Sequence, residues 1–268
     1  MPSHQPKPAS LFYQDIKKGL ATWRIWYLLG ISDIRQRYSR SKLGQFWVTL
    51  STGVFIGAIG VVNGVLFNQD ISHFLPFVAA NIITWNLISG IILDSCGTFI
   101  QSENYIRQIQ LPRTAFIMRV LTKNVVNFLH NLAILPVIYL IFPQPRNFSY
   151  LLAPLGFFMI LVAGFLTAMI LGVVCTRFRD LSQIVNNSVQ LAFFVTPILW
   201  PASALRSHLV NLGTLNPFAA FLNVISEPLR GIQPDPASYL MAVGTIVVLA
   251  LIALPLFAKY RTRIPYWL

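Results

Sequence analysis

The sequence is short of acid: its 268 residues hold 8 Asp and Glu against 20 Lys and Arg, for a formal net charge of +12. Charged residues of both signs make up 10% of the chain and hydrophobic residues 55%, whereas an ordinary soluble domain is about 25% charged. With a mean hydropathy of +0.63, this balance excludes a soluble globular fold. Cysteine is scarce too. Cys96 and Cys175 are the only two, both near expected cytosolic helix ends, where two reduced thiols are the default. His4, His73, His130 and His208 lie far apart along the chain, and no carboxylate pair accompanies them, so no metal site is expected. There is no Gly-Lys pair, hence no phosphate-binding loop of the GxxxxGK[ST] type, and nucleotide energy must come from another polypeptide. The nearest approach to a membrane serine protease nucleophile, Leu87-Ile88-Ser89-Gly90, lacks the first glycine of that setting. Residues 1–10 are polar, and no short apolar run with a cleavage site follows, so no signal peptide is expected.

What the chain has in quantity is long apolar runs. Six are expected to span a bilayer, at 45–67, 74–99, 120–142, 150–176, 184–200 and 239–259, each of about 20 residues for a core of about 30 Å. Cations punctuate them. Eight precede the first span (Lys7, Lys17, Lys18, Arg24, Arg35, Arg37, Arg40 and Lys42). Arg107, Arg113, Arg119 and Lys123 follow the second, Arg177 and Arg179 the fourth, and Lys259, Arg261 and Arg263 the sixth. Cationic loops stay on the cytoplasmic side, which places both termini, the second loop and the fourth loop in the cytosol. A pI near 10.2 suits nucleic acid in principle, but these cations border membrane spans, so anionic lipid headgroups are the expected partner and nucleic acid is not.

Residues 1–44 read as a cytosolic tail and an amphipathic helix, and 45–268 as the transmembrane domain. Phe12, Ile16, Leu20, Trp23 and Tyr27 recur at helical spacing, which suits a helix lying in the membrane interface or one packed on a partner. Gly53, Gly57, Gly60 and Gly64 leave a bare strip along the first span, where a helix of the same chain or of a second copy can approach closely. After Pro201 two short apolar helices are expected, 202–212 stopped by Gly213, and a second opening at Asn216-Pro217 and ending near Gly231. Their length reads as re-entrant or interfacial, a gate at the outer end of a pathway or a plain cap. Asn124, Asn127 and Asn131 share a face of the third span beside His130. Asn81, Asn86 and Asp94 lie in the second span, and Asn186, Asn187, Ser188 and Gln190 in the fifth. Polar groups there line a wet pathway or bond between helices. Asp94, near the cytosolic end, needs only a basic partner.

The stretch Asp33 to Trp47 reads DIRQRYSRSKLGQFW. Its basic pair around Tyr38, then Ser41, Leu43-Gly44 and Trp47 just before the first span, resembles the membrane subunit of polysaccharide-exporting ATP-binding-cassette transporters. Many relatives carry Pro where this chain has Gln45. The resemblance extends through Leu111-Pro112-Arg113 and the paired short helices, and the segments ENYIRQIQLPR and Phe128-Leu129-His130-Asn131 are most similar to O-antigen exporters.

The resemblance implies an all-α integral membrane protein with six spans, an interfacial N-terminal helix and two short re-entrant helices. It implies a permease that is not itself an enzyme, working in the bacterial inner membrane as a homodimer with two ATPase subunits that bind ATP and Mg. Its substrate would be a polysaccharide linked to undecaprenyl diphosphate. A cytosolic helix at about 103–111 would dock on the ATPase through Glu103, Asn104, Tyr105, Arg107 and Gln108. Arg35, Arg37, Tyr38, Arg40 and Lys42 would meet the diphosphate, since guanidinium pairs well with phosphate oxygens. Phe46, Trp47, Phe55, Phe193, Phe194 and Trp200 would line the glycan path, with an outer gate at 202–231. Exporters of drugs or lipids, and membrane enzymes acting on lipid-linked sugars, are the competing classes. The basic Tyr motif and aromatic lining disfavour the first, and the missing catalytic cluster disfavours the second.

Overall fold

The computed structural model describes residues 8–37, 39, 41–66, 70–145, 147–200 and 215–268. These are helical, with no strand among them. Helices α1 (Pro8–Ala21) and α2 (Trp23–Arg37) precede α3 (Phe46–Leu66) and α4 (Ile71–Cys96). The short α5 (Glu103–Gln108) leads into α6 (Arg113–Leu132) and α7 (Ile134–Ile141). Then come α8 (Ala153–Arg177), α9 (Leu181–Val195), α10 (Pro217–Leu229), α11 (Pro236–Tyr260) and α12 (Ile264–Trp267). Five stretches among the described residues are long and apolar enough to cross a membrane: α3, α4, α6 with α7, α8 with the turn before it, and α11.

Prolines account for two departures from the expected spans. Pro136 has no N–H for the Leu132 carbonyl and its ring crowds that group, and the third span steps there at Ala133 into α6 and α7. The expected fifth span, 184–200, begins as α9, but Pro197 drives the residue before it out of the helical region. Thr196 is extended, at φ −86° and ψ 138°, and α9 stops after 15 residues. That is about 22 Å of helix, less than a hydrocarbon core of about 30 Å.

The predicted opening of α10 is present. The Asn216 side chain accepts from Phe218 N at 2.9 Å, with Pro217 at the first helical position. The chain leaves α10 through Gly231 at φ +72°. The first short helix expected, 202–212, and its Gly213 stop lie outside the described residues.

Helix α4 is the centre of the bundle: 67% of its apolar window is buried, against 11% for α3 and 17% for α11. Its Val78, Ile83, Leu87 and Ile91 pack into one core with Met159 and Ile160 of α8 and Leu222 and Ile225 of α10. A second core, nearer the end that carries α5, joins Phe99, Phe116, Met169, Phe257 and Ile264. Phe12 of α1 meets Phe257 edge to face at 6.3 Å.

The single N-terminal helix expected from the apolar spacing is two helices. They part at Thr22, whose hydroxyl donates to the Gly19 carbonyl at 2.9 Å. Phe12 and Ile16 pack on the second core, while Leu20, Trp23 and Tyr27 are exposed.

What seats α1 is a carboxylate. Pro112 stands at the N-cap of α6 and makes no side-chain cap, so the first N–H groups of α6 need an outside acceptor. Asp15 supplies one from α1, accepting from Arg113 N and Thr114 N, each at 3.1 Å. The Thr114 hydroxyl donates to the Asp15 backbone carbonyl at 2.8 Å, and the Arg261 guanidinium lies 3.6 Å from the carboxylate. Gly19 permits the contact, since a Cβ there would fall 1.8 Å from the Thr114 hydroxyl oxygen. Asp15→Ala is expected to cost about 1–3 kcal/mol, the range for leaving buried donors unmet. A lowered thermal unfolding midpoint in detergent checks this, with Asp15→Asn, which keeps one acceptor, falling between.

Candidate functional site at the basic end of the bundle

Arg119, near the start of α6, gathers three elements. Its Nε donates to Asp33 Oδ2 of α2 at 2.7 Å, and its Nη2 donates to Asp33 Oδ1, a bidentate pair. Nη1 donates to the Ser102 hydroxyl at 3.0 Å, and the guanidinium sits 5.6 Å from the centre of the Tyr105 ring in α5. The fork geometry of arginine suits this triple use better than a lysine would. Helix α2 and the α5 segment therefore share one partly buried cation.

The α5 segment is narrower than expected. Its helix ends at Gln108 and Ile109 is extended, so the residues to 111 are not helical. Ile106 is buried as the anchor. Asn104, Tyr105, Arg107 and Gln108 are exposed, and Arg107 pairs with Glu103 at 2.7 Å across one turn.

Beyond Asp33, α2 ends with Arg35 and Arg37, both exposed, and Lys42 is exposed in the turn that follows. Tyr38 and Arg40 lie outside the described residues. The turn pivots on Gly44, at φ +55° with nothing within 4 Å of where a Cβ would stand. Left-handed backbone rather than crowding is what calls for glycine there. Next to it Gln45 reaches His130 Nδ1 of α6 at 3.1 Å.

Some polar residues of the membrane helices bond between segments and others line cavities. Asn81 serves packing, donating to the carbonyls of Pro197 and Ile198 at 3.3 and 3.2 Å, which supports the extended exit from α9. Asp94 finds the basic partner expected of it in Lys123 at 2.7 Å, and Asn124 Nδ2 donates to it at 2.8 Å. Asn86, Asn124, Asn127 and Asn131 line one cavity of about 420 Å³ between α3, α4 and α6, with Arg37 at its rim. A second cavity of about 450 Å³ is walled by Asp33, Gln101, Arg119 and Lys123, and shares Arg37 and Asn127 with the first. In α9, Asn187, Ser188 and Gln190 are exposed.

Of the aromatic candidates, Phe46, Trp47, Phe55 and Phe194 are exposed, and Trp200 is half-buried. Phe193 packs edge to face on Trp85 at 5.9 Å. In the glycine strip, Gly60 faces the Leu75 side chain of α4, while Gly57 has nothing within 4 Å. Neither Asp33, Arg119 nor Ser102 was singled out from sequence. The available signal was scarcity: with 8 acids against 20 cations, each carboxylate is a candidate ion-pair partner.

Residues 25–229, from early α2 to the end of α10, match the model of a family described as ABC-2 type transporter. The chain belongs to the ABC-2 type transporter family. Among curated relatives, this ABC-2 type transporter chain is 23% identical over 221 residues to the O-antigen export system permease protein RfbA of Myxococcus xanthus, covering 82% of this chain and 85% of that one. It is 20% identical over 234 residues to the RfbA permease of Klebsiella pneumoniae, covering 86% and 90%. The match makes the chain a multi-pass membrane component of a transporter. The α2 tie to α6, the α5 segment and the polar cavities all lie inside the matched stretch, whereas Asp15 and Arg261 lie outside it.

In this ABC-2 type transporter, Arg119→Met removes both bonds to Asp33 and is expected to cost about 3 kcal/mol, as when one partner of a buried pair is lost. The double variant Asp33→Ala with Arg119→Met should cost less than the two single losses added. Unfolding midpoints of the four proteins decide it.

Proposed function

We propose that this chain is the permease subunit of an ATP-driven exporter that carries lipid-linked polysaccharide, of the O-antigen type, from the cytoplasm across the bacterial inner membrane. The observation that carries the proposal is similarity to O-antigen export permeases over more than four fifths of both chains. It is supported by an exposed basic turn, Arg35, Arg37 and Lys42, set beside a polar cavity at the end of the bundle. In this reading the termini and α5 lie in the cytosol. Two copies of the chain pair, and each docks an ATPase subunit that holds ATP and Mg through Glu103, Asn104, Tyr105, Arg107 and Gln108. Arg119 then carries movement of α5 to α2, because one guanidinium bonds to both segments.

The diphosphate of the undecaprenyl-linked glycan is captured by Arg35, Arg37 and Lys42, with Tyr38 and Arg40 of the same motif completing the cluster. The glycan passes between the two copies along faces of α3 and α9 bearing Phe46, Trp47, Phe55, Phe194 and Trp200, with Phe193 behind them. Aromatic faces let sugar C–H surfaces slide without holding one register. The open part of the glycine strip, at Gly57, admits the second copy. The fifth of the six spans is α9 continued by its bent exit at 196–200, and α10 with the 202–212 segment forms the re-entrant outer gate.

Arg35→Ala with Arg37→Ala is expected to abolish glycan export while assembly with the ATPase stays normal. Surface display of polysaccharide in cells carrying the variant, beside a pull-down of the ATPase subunit, measures both. Normal display would sink the capture role, and export of a drug or plain lipid in place of glycan would move the chain to the competing class.

A further inference from the structure

We infer that the asparagine-lined cavity between α3, α4 and α6 receives the first sugar of the lipid-linked glycan, the unit joined directly to the diphosphate. The inference rests on the capture reading above and specifies where the uncharged part of the headgroup goes. Three observations lead to it.

The first is position. Arg37 belongs to the basic turn and also lines both cavities, so a phosphate held by that turn leaves its neighbouring sugar at the cavity mouth. The second is chemistry. Asp94 is taken up by Lys123 and Asn124, and the rest of the upper wall offers the amides of Asn86, Asn127 and Asn131. Amides both donate and accept without net charge, as ring hydroxyls do. A volume of about 420 Å³ lies in the range of small-ligand sites and is far too small for a polymer.

The third is an unmet need. The side-chain oxygens of Asn127 and Asn131 are buried with no hydrogen-bond partner, and Asn131 is only 3% exposed. Buried polar atoms are almost always paired, and an orphan marks a site that something else completes. A sugar hydroxyl is a donor of the kind required. A turn of either amide toward the cavity brings its oxygen to such a hydroxyl, and the wall then selects for a hydroxyl-bearing head over a bare diphosphate.

The test uses the permease with its ATPase in nanodiscs and two probes, undecaprenyl diphosphate alone and the same lipid carrying one N-acetylglucosamine. For the unaltered protein the sugar is expected to tighten binding about tenfold. In Asn131→Leu that gain should fall to about twofold or less, with the sugar-free lipid bound as before. Asn86→Leu, on the exposed wall of α4, should show the same loss and decides the matter if the Asn131 variant does not fold. An undiminished sugar gain in the folded variants overturns the inference. So does suppression of the gain by phosphatidylglycerol, which would make the cavity a phospholipid headgroup site. Arg35→Ala separates the two readings. If it leaves sugar-free binding intact, capture by the basic turn fails, while the sugar gain still reports on the cavity.

Discussion

Helix α6 is held by three carboxylates that come from three other helices, and the arrangement of the basic end depends on them. Asp15 of α1 caps its first turn, Asp33 of α2 takes both sides of Arg119, and Asp94 of α4 takes Lys123 and Asn124. A chain with 20 basic and 8 acidic residues has few carboxylates to place. Burying a cation without one is costly, and three of the eight acids stand against α6 where it enters the bundle. Loss of one leaves a charge or a helix terminus unpaired in a poorly solvated place, which makes these contacts matter more than surface ion pairs do.

The same arrangement gives the basic end a mechanical character. Ser102 and Tyr105 belong to the segment around α5, Asp33 to α2, and a single guanidinium touches all three. Four residues past Asp33 lies Arg37, on the rim of both polar cavities. The α5 segment and α2, which ends at that rim, are thus joined through one guanidinium. The other end of the bundle has different ties. The Tyr139 hydroxyl donates to the Leu229 carbonyl at 2.7 Å, and Arg230 lies 5.0 Å from the Phe77 ring centre.

Much of this was legible in order along the chain. Five of the expected spans match long apolar helices, and the Asn216-Pro217 opening of α10 is an ordinary capping signal. The basic partner expected for Asp94 is there as well. The shortness of α9 was also written in the sequence, at Pro197, but hydropathy averages over a proline that the backbone cannot ignore. The break at Thr22 was harder to see, because apolar spacing of four and three continues across it. The asparagines of α6 were seen to share a face, and only packing revealed that one cavity collects them with Asn86.

The sequence by itself determined what is local: where apolar runs begin and end, which residues cap them, and which helix termini carry charge. These follow from side-chain transfer energies and backbone geometry over a few residues. The tertiary structure alone decided the partners. The Asp15 and Asp33 bonds to α6 span 86 to 99 residues of chain, and nothing in local spacing says which of 20 cations each carboxylate will meet. That choice falls to the packing of apolar faces around α4, which brings some helix ends together and separates others before any charge can pair.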